Sequence, residues 1–344
     1  MTRLVAVLLA CLLPLTALAD SNIVNVYAWT GEIPDFIVNQ FEKETGIKVN
    51  FSTYENNEIM YTKLKASKYA GYDVVMPSSY FVDRMRKQNM LLKLDKTKLP
   101  NYKNLNPTFL NPTYDPGTQY SVPYIWGVTG IFANKNYVDP KTVTRWSDFF
   151  EPRFANQLML LDDSREVFSM GLLMLGYSAN DTNPDHIKAA YLKLKQLMTN
   201  VKVFSTETVI SIIIDEDAYV GMAWNGDVYK AMQDNPSVRF IFPSDGFVIW
   251  VDNYAIPVNA PHKDAAYAFI NFMSRPDVAK SAALITNFAT ANLSAEKLLP
   301  ASVRTNPSIY PSQTVLKRGQ FQTDLGDDTL ALYEKYWEAL KIGG

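Results

Sequence analysis

The sequence predicts an α/β fold of two lobes joined by strands that cross between them. Three observations carry that reading. Strand-like and helix-like segments alternate from Ile23 onward, as in a parallel sheet covered by helices. A second alternation runs from about Val128 to Trp250, after which further segments lead back to the first. No Gly/Ser-rich tether separates the two stretches, so crossing strands form the connection, which is hinge architecture. A length of 344 residues suits two lobes.

The elements follow in order. Residues 23–29 (IVNVYAW) read as a strand, and 35–45 as an amphipathic helix with Phe36, Ile37 and Phe41 on its apolar stripe and Gly46 as C-cap. Residues 47–53 alternate as a second strand, and 57–69 read as a helix. Residues 72–76 (YDVVM) form a short apolar run of the kind buried on both faces of a parallel sheet. Pro77 ends it and Ser79 starts the next helix. In the second stretch, 158–161 and 218–224 read as strands, with helices over 164–175 and 184–198. Residues 254–258 (YAIPV) and a helix over 263–273 return to the first lobe, and Trp337 lies in a C-terminal helix. The expected division is 20–127 with 252–298 in one lobe and 128–251 with 299–344 in the other.

The N-terminus reads as an address. Arg3, the apolar run Leu4 to Leu15, and Ala17-Leu18-Ala19 before Asp20 have the layout of a secretory signal peptide over 1–19. Pro14 interrupts the run, which is shorter than the ~20 apolar residues that span a bilayer. Cleavage near Ala19 is expected to leave an exported, soluble chain.

Composition excludes several function classes. With 33 Lys plus Arg against 35 Asp plus Glu and no basic block, nucleic acid is not the expected partner. The single Cys11 lies in the segment read as removed, which leaves no disulfide framework, thiolate nucleophile or cysteine zinc site. His186 and His262 are the only histidines and read as surface or loop residues. There is no phosphate loop, dinucleotide glycine fingerprint or HExxH. No cofactor, metal or catalytic residue is expected.

Aromatics and carboxylates coincide at the ends of the predicted strands. Trp29 closes the first; Ser78, Ser79 and Tyr80 follow YDVVMP; Asp162, Asp163 and Glu166 follow LMLL; Trp224 and Asp227 follow GMAW; Trp250 and Asp252 sit where the chain crosses back. Strand ends at a topological switch converge on one cleft. Aromatic faces with several carboxylates suit a cation with an apolar stem. A carboxylate about 4 Å from an ammonium contributes roughly 4 kcal/mol at an effective dielectric near 20, before desolvation, and a Trp face adds about 0.5–2 kcal/mol. A linear polyamine meets that description. The local readings also stand: Asp163 and Glu166 have the spacing of a helix capping box, Ser78 and Ser79 that of an N-cap, Trp224 and Trp250 suit a core, and Asp227 suits a turn.

At these residues the chain closely resembles the periplasmic spermidine/putrescine-binding proteins of polyamine ABC importers. The resemblance runs over essentially all of 20–344, through YAWTGEIP (27–34), ETGIKVNFSTYENNEIMYTKL (44–64), YDVVMPSSYFVDRMRK (72–87), SVPYIWG (121–127), LLDDSREVF (160–168), GMAWNGD (221–227), IWVDNYAIP (249–257) and RPDVAK (275–280). It implies a type II periplasmic binding protein, with two α/β lobes that close over ligand and no catalysis. It implies that Trp29 and Thr30 form a first aromatic wall and its polar neighbour, and that Ser78 and Tyr80 line the site after the third strand. Asp163 and Glu166 then hold one terminal amine, Trp224 and Trp250 are stacking walls, and Asp252 is the principal carboxylate. Thr206 supplies a hydroxyl and Gln322, in GQFQTDLG, a polar contact.

Departures from the family pattern bear on ligand choice. Gly31 and Glu32 stand where the spermidine type has an acid followed by Tyr, Asn287-Phe288 replaces Gly-Tyr, and Asp227 matches putrescine-preferring relatives. The loss of one pocket acid and the gain of Asp227 lean toward the diamine. The site is expected to ionise normally and stay anionic, so that acid weakens binding. The expected partners are putrescine or spermidine and an inner-membrane permease–ATPase complex, with the protein a periplasmic monomer. Competing readings are a binding protein for another small cation, a polyamine sensor, and a hydrolase using paired carboxylates.

Overall fold

Alternation and unbroken apolar runs divide the strands into half-buried and fully buried ones. The computed structural model describes residues 22–342; the signal segment expected over 1–19, with Cys11, lies outside the described residues. Its eleven strands are β1 (Ile23–Trp29), β2 (Lys48–Tyr54), β3 (Val74–Val75), β4 (Ser121–Asn134), β5 (Leu158–Leu160), β6 (Val201–Phe204), β7 (Val220–Trp224), β8 (Val238–Ile241), β9 (Phe247–Ala255), β10 (Ala289–Thr290) and β11 (Gly319–Phe321). The main path is β2-β1-β3-β9-β4-β7-β5-β6, with β8 and β10 on β4 and β11 on β9. β1 runs parallel to β2 and β3, and β5 parallel to β6 and β7, so each half carries a parallel unit. Between them stands the antiparallel pair β4 and β9. β4 changes partners along its length: Ser121 to Val128 pair with β9, while Thr129 to Ala133 pair with β7.

The helices cover this sheet with the faces the sequence marks. Asp35–Thr45 buries Ile37 and Phe41 and ends at Gly46, whose φ of 72° is the left-handed C-cap that glycine adopts without steric cost. The helix expected over 57–69 stops at Ala66, because Lys68 and Tyr69 take left-handed φ values of 52° and 65°. The run 72–76 contributes only Val74 and Val75 to the ladder. The strand expected over 254–258 is instead β9, buried along its whole length. β4, also buried throughout, is the strand that sequence patterning did not resolve. A fully buried strand has no alternation to reveal it, and Pro123, Gly127 and Gly130 break its propensity.

Candidate ligand-binding cleft

All twelve residues singled out from the sequence line one cleft of about 390 Å³: Trp29, Thr30, Ser78, Tyr80, Asp163, Glu166, Thr206, Trp224, Asp227, Trp250, Asp252 and Gln322. Trp29 ends β1, Ser78 follows β3, Asp163 follows β5, Thr206 follows β6 and Trp224 ends β7. The carboxyl ends of parallel strands thus converge. Trp250 and Asp252 come from the middle of β9, two residues apart and therefore on one face of it.

At one end of the cleft Asp252 is the anchor, 3% exposed. Ser78 Oγ donates to its Oδ1 at 2.5 Å, Asn57 Nδ2 donates to Ser78 Oγ at 3.1 Å, and the same amide lies 3.2 Å from the Tyr80 hydroxyl. Ser78 occupies an N-cap position without capping; its hydroxyl serves the cleft instead. Trp250 packs edge-on against Phe288, with ring centroids 4.9 Å apart. Two glycines make room for this wall. A Cβ on Gly127 would stand 2.4 Å from Trp250 Cζ2, and one on Gly226 would stand 2.2 Å from Phe288 Cδ1. Asp227 lies in the first turn of the helix Asn225–Asp234, rather than in a loop turn.

Glu32 joins this end, and the sequence reading had not assigned it a role. The Trp29 carbonyl accepts from Glu32 N–H at 3.4 Å across Thr30 and Gly31, and Gly31 has φ 80°. Positive φ at the third position alone is the type II turn, which calls for glycine there. The Tyr124 hydroxyl donates to the Glu32 carbonyl at 2.9 Å and fixes the turn. The Glu32 side chain lines the cleft with its Oε2 buried, and its carboxyl lies against that of Asp252, a pairing that needs a shared proton. The expected loss of a pocket acid is therefore overturned: Gly31 lacks the carboxylate, and the turn delivers one from the next residue.

At the other end Asp163 caps the helix Ser164–Met174, its Oδ1 accepting from Glu166 N–H at 3.0 Å. The capping box is only half made. Glu166 Oε2 is buried and unpartnered, and its carboxyl faces Thr129 and Trp224. Arg165, 1% exposed, supplies a buried cation beside this pair, with its guanidinium carbon 5.4 Å from the Tyr80 ring centroid. Gln322 Nε2 donates to Ser169 Oγ at 3.4 Å. Asp162 turns away, held by Lys341 Nζ at 2.7 Å. His262 meets buried Asp73 through Nδ1 at 3.0 Å and His186 meets Asp181 at 2.9 Å, both outside the cleft.

The carboxyls do not ionise normally, contrary to the sequence expectation. Burial pushes Asp227 and Asp252 up to about 7, the latter against the lowering bond from Ser78. Burial and the neighbouring Asp163 push Glu166 up to about 8. Burial, then Asp252 and Asp227, hold Glu32 well above the usual carboxylate range, and burial also raises Asp163. Desolvation leads each of these shifts and outweighs the lowering field of Arg165 at the Asp163 end; a bound cation would reverse them.

Besides Glu32, the cleft is lined by Glu55, Asn57, Glu207, Val209, Ile210, Lys230, Ile285, Thr286 and Phe288. Glu55 accepts from Thr30 Oγ1 at 2.7 Å. Asn57 was legible only as a helix start, and its role as the bridge between Ser78 and Tyr80 follows from packing.

A two-part α/β sheet with a cleft at its strand ends, walled by aromatics and floored by carboxylates, defines a solute-binding protein. The chain belongs to the bacterial extracellular solute-binding protein family, whose model matches residues 37–310. It is 46% identical over 325 residues to the spermidine/putrescine-binding periplasmic protein of Salmonella typhimurium, covering 94% of this chain and 93% of the relative. The Escherichia coli (strain K12) protein of the same description is 46% identical over 324 residues, with 94% and 93% coverage. Among solved structures, a putative spermidine/putrescine ABC transporter protein from Listeria monocytogenes superposes with a TM-score of 0.89 at 36% identity, over 93% of this chain and 99% of its own. The fold is the two-lobed periplasmic binding protein fold, as the resemblance implied. The chain is a binding protein and not an enzyme, which removes the hydrolase reading. Among the described residues no helix is long and apolar enough to cross a membrane.

Proposed function

We propose that this protein captures a linear polyamine in the periplasm and delivers it to an inner-membrane permease–ATPase complex. The observation that carries the reading is a single aromatic-walled cleft with carboxyls at both ends: Glu32, Asp227 and buried Asp252 at one, Asp163 and buried Glu166 at the other. Ammonium groups answer the carboxyls, and methylene stems answer Trp29, Trp224 and Trp250. An amino acid would bring a carboxylate of its own into this negative field. The relatives described as spermidine/putrescine-binding support the same ligand class.

Residues 20–127 with 252–298 and 128–251 with 299–344 are the two lobes in this reading, with the hinge where β4 exchanges β9 for β7. Ligand bridges residues of both, so its differential contacts favour the closed state. The signal segment 1–19 directs export, and the mature chain acts as a monomer. The test is calorimetric titration of protein unfolded and refolded to remove carried-over ligand. One-to-one heat with putrescine or spermidine supports the reading; silence with both overturns it.

A further inference from the structure

Outside the cleft, a set of ion pairs joins two helices that the two-lobe reading places on opposite sides of the hinge. The helix Ser79–Lys87 is fixed to the first lobe: Arg86 Nε donates to the Tyr114 carbonyl at 2.6 Å, and Phe81 packs edge-on against Tyr61 at 5.5 Å. The helix Asp327–Ile342 is fixed to the second, where Tyr333 stacks on Phe168 at 4.7 Å and Tyr336 on Tyr191 at 4.5 Å. Arg84 reaches from one to the other. Its Nη1 lies 3.3 Å from Asp324 Oδ1, and its Nη2 donates to Asp327 Oδ1. Asp83 accepts from Asp324 N–H at 3.2 Å and is itself held by Arg86 at 2.7 Å and Lys87 at 2.8 Å. Lys87 Nζ also lies 3.8 Å from Asp324 Oδ2. The side chains of Arg84 and Asp324 are 10% and 13% exposed, whereas that of Asp327 is 78% exposed. None of these residues lines the cleft. Gln322 does, two positions before Asp324 on the segment that follows β11, and Thr323 between them is pinned by Asn180 and Arg165.

We propose that Arg84, with Asp324 and Asp327, forms an interlobe latch that positions the lobes for closure and sets polyamine affinity without touching the ligand. The inference rests on the polyamine-binding reading above. Opening the hinge returns these charged groups to water, where none needs the others. Closing withdraws Arg84 and Asp324 from water, and a nearly buried charge is tolerated only when it is paired. Loss of one partner therefore penalises the closed state alone. Ligand is held in the closed state, so apparent affinity scales with the closed fraction, and every ligand feels the same factor. A residue in the cleft would instead shift one polyamine against another. Asp327 stays in solvent and contributes less than Asp324.

The experiment measures putrescine and spermidine affinity, dissociation rate and hinge closure on the mature chain. Arg84→Ala is expected to lose about five- to tenfold in affinity for both polyamines alike, mostly through faster dissociation in stopped-flow tryptophan fluorescence. Asp324→Asn keeps the acceptor for Gly326 N–H and loses a similar factor, and the double variant loses no more than the larger single loss. Arg84→Lys, which keeps the charge, recovers part of the affinity. For closure, Lys43→Cys and Lys188→Cys, both at exposed positions and one on each lobe, carry a dye pair for single-molecule energy transfer. The closed fraction of the ligand-free protein falls about fivefold in Arg84→Ala. Unchanged affinity in both single variants would overturn the proposal, as would unequal losses for the two polyamines or additive losses in the double variant. If Arg84→Ala does not fold, Asp324→Asn decides alone. Silence of wild type with both polyamines is a failure of the polyamine reading. The ligand-free closed fraction then decides the latch, and equal fractions in wild type and both variants overturn it.

Discussion

Ser78 donates its hydroxyl to Asp252 at 2.5 Å, joining the end of β3 to the middle of β9 across 174 residues of sequence. The bond orients the anchoring carboxyl at one end of the cleft and lowers its pKa against the raising effect of burial. Through Asn57 the same hydroxyl connects to Tyr80 toward the other acidic end.

Removing that hydroxyl therefore acts through protonation. In Ser78→Ala the Asp252 pKa rises from about 7, so more of the carboxyl is neutral at pH 7. Polyamine affinity is expected to fall about three- to tenfold at pH 7 and less at pH 8.5, where both proteins are ionised. Titration at the two pH values checks this, and an equal loss at both would assign Ser78 a direct contact instead.

The raised carboxyls couple binding to proton release. With Asp227 and Asp252 near 7 and Glu166 near 8 in the free protein, a bound cation lowers all three. Protons leave on binding, and affinity rises from about pH 6 to about pH 8.5, then levels. At pH 7 the observed enthalpy must vary with the ionisation enthalpy of the buffer. An enthalpy identical in phosphate and Tris would contradict the prediction.

The same shifts set the stability of the free protein. A carboxyl whose folded pKa lies above its unfolded value holds more protons folded than unfolded. Its contribution is fully present below the unfolded pKa near 4, and is lost as pH rises through the folded value near 7 to 8. Ligand-free protein should lose thermal stability between about pH 4 and pH 8, and saturating ligand should flatten that decline. Asp227→Asn, free of ligand, should melt about 3 °C or more above wild type at pH 8, a gap that narrows at pH 5 and closes toward pH 4. Melting curves of both proteins at both pH values measure this.

Asp163 caps a helix and faces the cleft, and one pair of variants separates the two tasks. Asn caps as well as Asp, so Asp163→Asn should keep its melting temperature and lose about ten- to hundredfold in affinity. Asp163→Ala should lose the affinity and also about 1 kcal/mol of stability. Equal stability of the two variants would remove the capping role.

The aromatic wall depends on absent side chains. Gly226→Ala places a methyl 2.2 Å from Phe288 Cδ1, which pushes Phe288 off Trp250. A loss of about 1–3 kcal/mol in stability and about tenfold in affinity is expected, measured by chemical denaturation and titration. Gly226→Ala in a Phe288→Ala background should recover stability relative to the sum of the single changes.

The α/β class, the alternation that ends at Trp29, Ser78, Asp163 and Trp224, and the polycation character of the site are legible in the residues alone. Those features are local: an apolar run names a strand, its last residue names a strand end, and parallel strand ends converge. Family motifs added Thr206 and Gln322, which local chemistry does not mark. Where side chains go once turns and partners are fixed depends on packing in space. A type II turn at Gly31 brings Glu32 into the cleft, although the linear pattern reads as a missing acid. Half of a capping box leaves Glu166 for the ligand site, although its spacing suits the cap equally. β4 and β9, buried on both faces, carry no periodicity, and only their pairing shows that they join the halves. The ionisation of the site was likewise decided in space, because desolvation and mutual repulsion depend on distances among Glu32, Asp227 and Asp252, which lie up to 220 positions apart in the chain.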